Sequence, residues 1–167
     1  MSRIVLIGAP GSGKSTVGKA LANSLQLSFV DTDAMIEASS GKKITDIFVV
    51  DGEDVFRALE FQTLQAVLVK ENSVISLGGG APISTPAQKA IRQSQSIVIF
   101  LDVSLATAVP RVGFNRDRPL LLGNPRAQWQ ALSDLRRPIY EELATHSIKV
   151  DDMTVDQITA TIEELIS

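Results

Sequence analysis

The sequence predicts an α/β protein in which helices cover both faces of a parallel β-sheet. Short apolar runs alternate with helical patterns along the chain, which is typical of parallel strands joined by crossover helices. The first apolar run leads directly into a glycine-rich phosphate-binding motif, and a helix-compatible run follows that motif. Because domains usually contain about 100–200 residues, the 167 residues are expected to form a single domain.

Five apolar runs are predicted to be buried strands: Ile4–Ile7, Ser28–Val30, Val74–Leu77, Ile97–Leu101 and Ser147–Val150. Two helix starts carry clear signals. Thr85 is expected to cap a helix with Pro86 in its first turn and Gln88 completing a capping box, and Thr154 with Gln157 forms a second capping box. The last helix is expected to pack on the sheet because its apolar residues share one face: Val155, Ile158, Ile162, Leu165 and Ile166.

Composition excludes several function classes. The chain contains no cysteine, which rules out a disulfide scaffold, a thiolate nucleophile and a cysteine zinc site. The single histidine, His146, cannot build a multi-histidine metal site. The formal net charge of −3 argues against a dedicated nucleic-acid binder, and no apolar run approaches the ~18 residues of a membrane span. The first residues show no signal-peptide pattern, so a cytoplasmic location is expected.

The strongest functional signal is the segment Gly8–Ser15, which matches the phosphate-loop pattern G-x-x-x-x-G-K-[ST]. Its glycines allow backbone N–H groups to turn toward a phosphate, and the following helix points its positive end at the same anion. Lys14 is expected to reach the β and γ phosphates, and the Ser15 hydroxyl is expected to bind Mg²⁺. A plain glycine turn before a helix is disfavoured because motif and context agree.

An acidic turn, Asp31-Thr32-Asp33, follows the second predicted strand, where ligands lie in sheets of this kind. Asp31 could hold Mg²⁺ through water, and Asp33 could accept a hydrogen bond from a substrate hydroxyl. The alternative is a solvated turn or a cap for the next helix, since Asp and Thr favour both.

The segment Gly52–Glu60 opens a helix and places Arg57 and Glu60 on one face. A guanidinium fork suits a substrate carboxylate, although a plain surface ion pair has the same spacing. Further along, a strand ends in Gly78-Gly79-Gly80, where many phosphate-loop proteins carry a magnesium-binding Asp. Three glycines would let a ligand lie against bare backbone amides, or would simply form a flexible turn.

Arginines are concentrated late in the chain, with six of the nine between Arg111 and Arg137. The segment 112–125 has little periodicity and is predicted to be a mobile loop that closes over the nucleotide and carries Arg118 to the transferred phosphate. Arg136 lies in a predicted helix. A basic surface facing solvent or RNA is the alternative. Trp129 is interpreted as partial packing, and Asp102 as the approach to a helix rather than a metal ligand.

Taken together, the motifs resemble those of the shikimate kinase family over nearly the whole chain and in the same order. Each motif alone is only suggestive, whereas six in sequence are highly specific. The matching segments are Gly11–Thr16, Asp31–Asp33, Gly52–Glu60, Ser76–Gly80, Arg118–Leu121 and Arg136–Tyr140.

The resemblance implies a three-layer α/β/α kinase fold with five parallel strands in the order 2-3-1-4-5. It implies one kinase domain over residues 1–167, with the phosphate loop at 8–16, a substrate-binding region at about 31–60 and a lid at about 112–124. The implied reaction transfers the γ-phosphate of ATP to the 3-hydroxyl of shikimate. The implied partners are shikimate and ATP with Mg²⁺, without nucleic acid or membrane, and the expected state is a monomer.

The resemblance also assigns roles to residues, with Lys14, Asp33 and Arg118 expected to be catalytic. The expected ATP-binding residues are Gly11, Ser12, Gly13, Lys14, Ser15, Thr16, Arg111 and Arg118. The expected shikimate-binding residues are Asp33, Arg57, Gly78, Gly79, Gly80 and Arg136, and the expected Mg²⁺ residues are Ser15 and Asp31.

Two other functions share part of the pattern. An adenylate- or gluconate-kinase-like enzyme would have a similar phosphate loop, but an adenylate kinase would carry Gly in place of Ser15. A gluconate-type kinase does not call for the arginine motifs at 118 and 136. A non-catalytic phosphate-binding module is disfavoured because Lys14, Ser15 and Asp31 are all present.

Overall fold

Five parallel strands form one sheet in the order β2-β3-β1-β4-β5, as the family resemblance implies. A computed structural model describes residues 2–112 and 124–167 of the chain. The strands are β1 Arg3–Ile7, β2 Ser28–Asp31, β3 Ser73–Ser76, β4 Ile97–Asp102 and β5 His146–Lys149. Each lies within one residue of its predicted bounds. His146 opens β5 instead of preceding it.

Helices connect the strands and complete the three layers. They are α1 Lys14–Leu25, α2 Thr32–Ser40, α3 Ile44–Asp46, α4 Glu53–Val67, α5 Thr85–Gln93, α6 Leu105–Val112, α7 Pro125–Leu143 and α8 Val155–Ile166. A π-helical turn, Ile47–Asp51, lies between α3 and α4. Within the described ranges, no helix combines the length and the hydropathy that crossing a lipid bilayer requires.

The alternation of side chains along the strands produces two hydrophobic cores, one on each face of the sheet. In β1, Ile4 and Leu6 enter the core covered by α1 and α8, whereas Val5 and Ile7 enter the core covered by α4 and α5. All four side chains are fully buried. Helix α7 contributes to both cores, with Trp129 in the first and Tyr140 in the second.

A third, smaller hydrophobic cluster holds α2, the π-helical turn and α4 together. It contains Ile36 of α2, Ile47 of the π-helical turn and Phe56 of α4, all almost completely buried. Phe48 packs on Phe56 with 4.9 Å between ring centroids. This cluster fixes the start of α4, and therefore Arg57, beside the carboxyl end of the sheet.

Three details of the helix predictions are wrong. Helix α5 is capped by Ser84, whose Oγ accepts from the N–H of Ala87, and not by Thr85. Gln88 forms no capping box, because its side chain donates to the Ile83 carbonyl instead. The capping box of Thr154 with Gln157 is confirmed. Leu165 is 40% exposed rather than packed on the sheet, since it lies in the last turn of α8 at the margin of the core.

Candidate active site

The phosphate loop lies between β1 and α1, as predicted. Gly8, Gly11 and Gly13 have φ angles of 150°, 85° and 91°, which L side chains rarely adopt. The loop then enters α1 at Lys14, so that the N-terminus of this helix faces the space enclosed by the loop. The glycines are therefore required by the backbone path as well as by the approach of a ligand.

Lys14 is 9% exposed and folds over the loop that precedes it. Its Nζ donates to the carbonyls of Gly8 at 2.9 Å and Ala9 at 3.1 Å, and to the Ser12 hydroxyl at 3.3 Å. These bonds hold an ammonium group within the curve of the loop, where an anion would meet it.

The acidic turn meets the phosphate loop through Ser15. The Ser15 hydroxyl donates to Asp31 Oδ2 at 2.5 Å, and the other Asp31 oxygen accepts from the N–H of Ala34 at 3.1 Å. Asp31 therefore caps α2, as one interpretation predicts. It also presents an oxygen beside Ser15, and its binding of Mg²⁺ stays a prediction. Thr32 is buried and accepts from the N–H of Gly78 at 3.1 Å, which ties the turn to the triple glycine.

The three glycines at the end of β3 are approached by the charged side chains of the site. A Cβ on Gly78 would stand 2.6 Å from Asp33 Oδ1, and one on Gly80 would stand 2.4 Å from Arg57 Nη1. A Cβ on Gly79 would lie 3.3 Å from Arg136 Nη1. The structure therefore brings together Asp33, Arg57 and Arg136, which the sequence separates widely.

The two arginines differ in their partners. Arg57 donates to Glu60 Oε1 at 2.8 Å and lies 3.5 Å from Glu53 Oε2. Glu60 is 4% exposed, and this burial raises its pKa against the opposing effect of Arg57. Arg136 is 7% exposed, and among the described residues it forms no ion pair. The pair of Arg57 with Glu60 is thus half-buried, because the Glu60 side chain is 5% exposed and the Arg57 side chain 32% exposed.

Two clefts lie on either side of the triple glycine. The first has a volume of about 320 Å³ and is lined by the phosphate loop, Ser15, Asp31, Asp33 and Gly79. The second has a volume of about 270 Å³, and its polar lining consists of Arg57, Glu60, Ser84 and Arg136. The first cleft therefore carries the phosphate loop, and the second, guanidinium-lined cleft carries Arg57 and Arg136.

Helix α7 forms hydrogen bonds with both glycine-rich segments. Trp129 Nε1 donates to the Pro10 carbonyl at 2.8 Å, and the Tyr140 hydroxyl donates to the Gly79 carbonyl at 2.6 Å. Trp129 is 2% exposed, so the prediction of partial packing is wrong. Burial raises the pKa of Tyr140 to about 12, which keeps its hydroxyl a donor at neutral pH.

Other predicted residues occupy different positions. Arg111 donates to the Gly11 carbonyl at 3.1 Å and lines the phosphate-side cleft. Asp102 accepts from two nitrogens of Arg137, at 2.6 and 2.8 Å, so its role is an ion pair and not a metal ligand. Arg118 and most of the predicted lid lie outside the described residues.

Comparison with known proteins agrees with this geometry. A sequence model of the shikimate kinase family matches residues 10–167. A shikimate kinase of Thermobifida fusca is 46% identical over 153 residues, covering 92% of this chain and 88% of that protein. One of Salinispora arenicola is 44% identical over 163 residues, covering 98% and 96%.

The chain belongs to the shikimate kinase family. A solved structure of the shikimate kinase from Acinetobacter baumannii, in complex with shikimate, matches with a TM-score of 0.95 at 32% identity. The match covers 99% of this chain and 93% of that one. The chain is therefore an ATP-dependent kinase that transfers the γ-phosphate of ATP to the 3-hydroxyl of shikimate and yields shikimate 3-phosphate and ADP. This reaction is a step of chorismate and aromatic amino acid biosynthesis, and the predicted function is confirmed.

Proposed function

We propose that the guanidinium-lined cleft binds shikimate through its carboxylate, with Arg136 and Arg57 as the two cationic contacts. The observation that carries this proposal is Arg136, which is 7% exposed beside the glycines. Among the described residues that line this cleft, Arg57 and Arg136 share a single carboxylate, that of Glu60, so one positive charge in this poorly solvated place is expected to be neutralised by a bound anion. The carboxylate of shikimate supplies that anion, and the fork of each guanidinium matches its two oxygens.

Asp33 orients the hydroxyl that accepts the phosphoryl group. Its carboxylate lies against Gly78, on the phosphate side of the triple glycine, and lines the cleft that the phosphate loop shares. A shikimate molecule held at its carboxylate by the arginines would extend past Gly79 and Gly80 toward Asp33. The aspartate then holds the 3-hydroxyl in line with the γ-phosphate and accepts its proton late in the transfer.

On the nucleotide side, the phosphate loop holds ATP through Gly11, Ser12, Gly13 and Thr16 with Lys14. The residues present fit Mg²⁺, because a hydroxyl and a carboxylate oxygen lie side by side at Ser15 and Asp31. No group of three acidic or histidine side chains suited to a metal lies among the described residues. Two protein ligands are what Mg²⁺ usually takes when it also binds substrate phosphates and water. When bound, the ion would neutralise charge on those phosphates.

Positioning and charge neutralisation carry the reaction, since phosphoryl transfer passes through a loose transition state. Lys14 stabilises negative charge that grows between the β and γ phosphates. Arg118 is proposed to contact the transferred phosphate, and Arg111 to lie near adenine, because each matches the family's motif. The monomeric state, the cytoplasmic location and the absence of nucleic-acid and membrane partners stay predictions.

The two arginines provide the test of the shikimate site. Arg57→Ala and Arg136→Ala should each raise KM for shikimate by about 10- to 100-fold, because each removes a charged hydrogen bond, and KM for ATP should stay within about threefold. A shikimate analogue without the carboxylate should be insensitive to both changes. Arg92→Ala, at an exposed pair with Glu142, is the matched control and should leave both constants unchanged. If the two variants raise KM for ATP and leave KM for shikimate unchanged, shikimate has been assigned to the wrong cleft.

A further inference from the structure

Helix α7 forms hydrogen bonds with both of the glycine-rich backbone segments that line the two clefts. We infer that Trp129 and Tyr140 are positioning residues, which fix the Pro10 and Gly79 carbonyls and so orient the backbone N–H groups of the nucleotide and shikimate sites respectively. The inference rests on the proposed assignment of these clefts. It adds two residues that no motif of the phosphate loop or the triple glycine contains.

Helix α7 is anchored by packing in both hydrophobic cores. Trp129 is packed in the core under α1 and α8, whereas Tyr140 and Leu143 are packed in the core under α4 and α5. Residues 129 and 140 are separated by three turns, or about 16 Å along the helix axis. A helix anchored in two cores, on both sides of the internal Pro138, therefore presents both donors from one element.

The two acceptors belong to segments with unusual backbone freedom. Pro10 is followed by Gly11, with a φ of 85°, and Gly79 lies between two further glycines. Peptide planes in such segments rotate at little cost, because glycine has no Cβ to restrict them. A hydrogen bond to the carbonyl removes this freedom.

Fixing a carbonyl also fixes the next N–H group, since the peptide is planar. None of the described peptides is cis, so the N–H of Gly11 points away from the bond between Trp129 and the Pro10 carbonyl. In the same way, the bond from Tyr140 orients the N–H of Gly80. Gly11 lines the phosphate-side cleft and Gly80 lines the guanidinium-side cleft. Each aromatic residue therefore positions the backbone of a different substrate site.

Arg136 lies on the same buried side of α7, between the two donors. It is one turn from Tyr140 and about two turns from Trp129. Because α7 presents Arg136 to the shikimate site and also holds the backbone on both sides of it, the helix sets the distance between the two substrates.

The experiment compares variants that each remove one donor. The Tyr140 hydroxyl also interacts with the Arg136 side chain, so Tyr140→Phe is measured both alone and combined with Arg136→Ala; an effect that disappears in the combined variant would act through Arg136 and not through the Gly79 carbonyl. Tyr140→Phe should raise KM for shikimate by about 3- to 10-fold, the effect expected from one lost hydrogen bond, with KM for ATP unchanged. Trp129→Phe should raise KM for ATP by a similar factor with KM for shikimate unchanged. Leu143→Val is the control, because it thins the packing of the same helix without touching either glycine segment; it should lower the melting temperature and leave both constants unchanged.

Trp129→Phe also replaces a two-ring side chain by a single ring, which can impair folding. A second substitution therefore removes the N–H and keeps the size of the side chain. Trp129 is the only tryptophan in the chain, so growth of a tryptophan auxotroph on 3-benzothienylalanine replaces its N–H by sulfur and keeps the two-ring shape. The expected result is the same selective increase in KM for ATP. Equal effects on both substrates, or changes in melting temperature alone, would show that the two residues only support the fold.

The inference and the proposed sites fail in different ways. If Arg136→Ala raises KM for shikimate but Tyr140→Phe and the Trp129 replacements change neither constant, the sites are correct and the positioning role is wrong. If Arg136→Ala has no effect on shikimate, the site assignment itself is wrong.

Discussion

Substitution of Gly80 by alanine separates two explanations of the triple glycine. The sequence suggests that the glycines let a ligand approach the backbone. The structure shows that Arg57 already occupies this space, since a Cβ on Gly80 would stand 2.4 Å from its Nη1. Non-bonded heavy atoms keep about 3.5 Å, so the guanidinium must move by about 1 Å.

A movement of that size has a calculable consequence. Arg57 donates to Glu60 over 2.8 Å, and a displacement of about 1 Å either breaks this bond or moves the fork away from the substrate. Misplacement of a binding group by about 1 Å can lower a rate by about 100-fold. We therefore expect Gly80→Ala to lower kcat/KM for shikimate by about 10- to 100-fold, with KM for ATP nearly unchanged.

Gly80→Ala is expected to lower kcat/KM without a comparable loss of stability. The φ angle of Gly80 is not in the left-handed region, so alanine carries no backbone strain there. Alanine restricts the unfolded chain, which contributes about 0.4–1 kcal/mol of stability. This gain offsets part of the stability lost when the ion pair of Arg57 with Glu60 is disturbed. The melting temperature is therefore expected to change by only a few degrees.

Gly79→Ala is the matched control, because its Cβ would meet Pro10 Cδ at 3.2 Å and Arg136 Nη1 at 3.3 Å. Those atoms need to move by only a few tenths of an ångström, so an effect within about threefold is expected. Steady-state kinetics with each substrate varied in turn, together with thermal unfolding, provide the comparison. If Gly79→Ala is as damaging as Gly80→Ala, the glycines serve the ligand and not the approach of Arg57.

Three further predictions concern charged residues. Lys14→Met should lower turnover by about 1,000-fold while shikimate binding without nucleotide, measured by calorimetry, survives. Burial raises the pKa of Glu60, so its contribution to stability is present below the ordinary value of 4.5 and is lost as pH rises through the folded pKa. The free energy of unfolding of the wild type minus that of Glu60→Gln should therefore fall as pH rises from about 4.5 through this range. Asp102→Asn should lower the free energy of unfolding by about 1 kcal/mol, whereas Arg92→Gln at an exposed pair should change it by less than about 0.5 kcal/mol.

Each of these has a clear contrary result. Near-normal turnover of Lys14→Met would remove the lysine from the mechanism. A difference in unfolding free energy that rises with pH would mean that Arg57 outweighs burial at Glu60. Equal losses in Asp102→Asn and Arg92→Gln would mean that the burial of Asp102 contributes nothing.

The strands could be predicted from the sequence because each is a contiguous apolar run, and the sheet order followed from the family resemblance. The phosphate loop and the acidic turn could be predicted because the residues that form each of them are neighbours in the sequence. Helix caps are harder. Ser84 and Thr85 both carry a hydroxyl, and the choice between them depends on which residue has the extended backbone, here Ser84 with a ψ of 152°.

The contacts of Trp129 and Tyr140 could not be predicted in this way. Their acceptors are backbone carbonyls 119 and 61 residues away, and every residue has a carbonyl, so no side-chain pattern marks the partner. The hydrogen bond of Thr32 could not be predicted for the same reason, since its partner is the backbone N–H of Gly78. The burial of Glu60 could not be predicted either, because many exposed ion pairs on helices have the same three-residue spacing as Arg57 and Glu60.

The burial of Glu60 completes the electrostatic description of the proposed shikimate site. Arg57 and Arg136 bring two positive charges to the guanidinium-side cleft, and an ionised Glu60 leaves a net charge of +1. A single carboxylate then brings the cleft to neutrality, whereas without Glu60 one positive charge would stay uncompensated in a poorly solvated place. Glu60 also fixes the Arg57 fork before the substrate arrives, which reduces the entropy lost on binding. Burial thus raises the pKa of Glu60, and the same residue prepares the proposed site for a monocarboxylate.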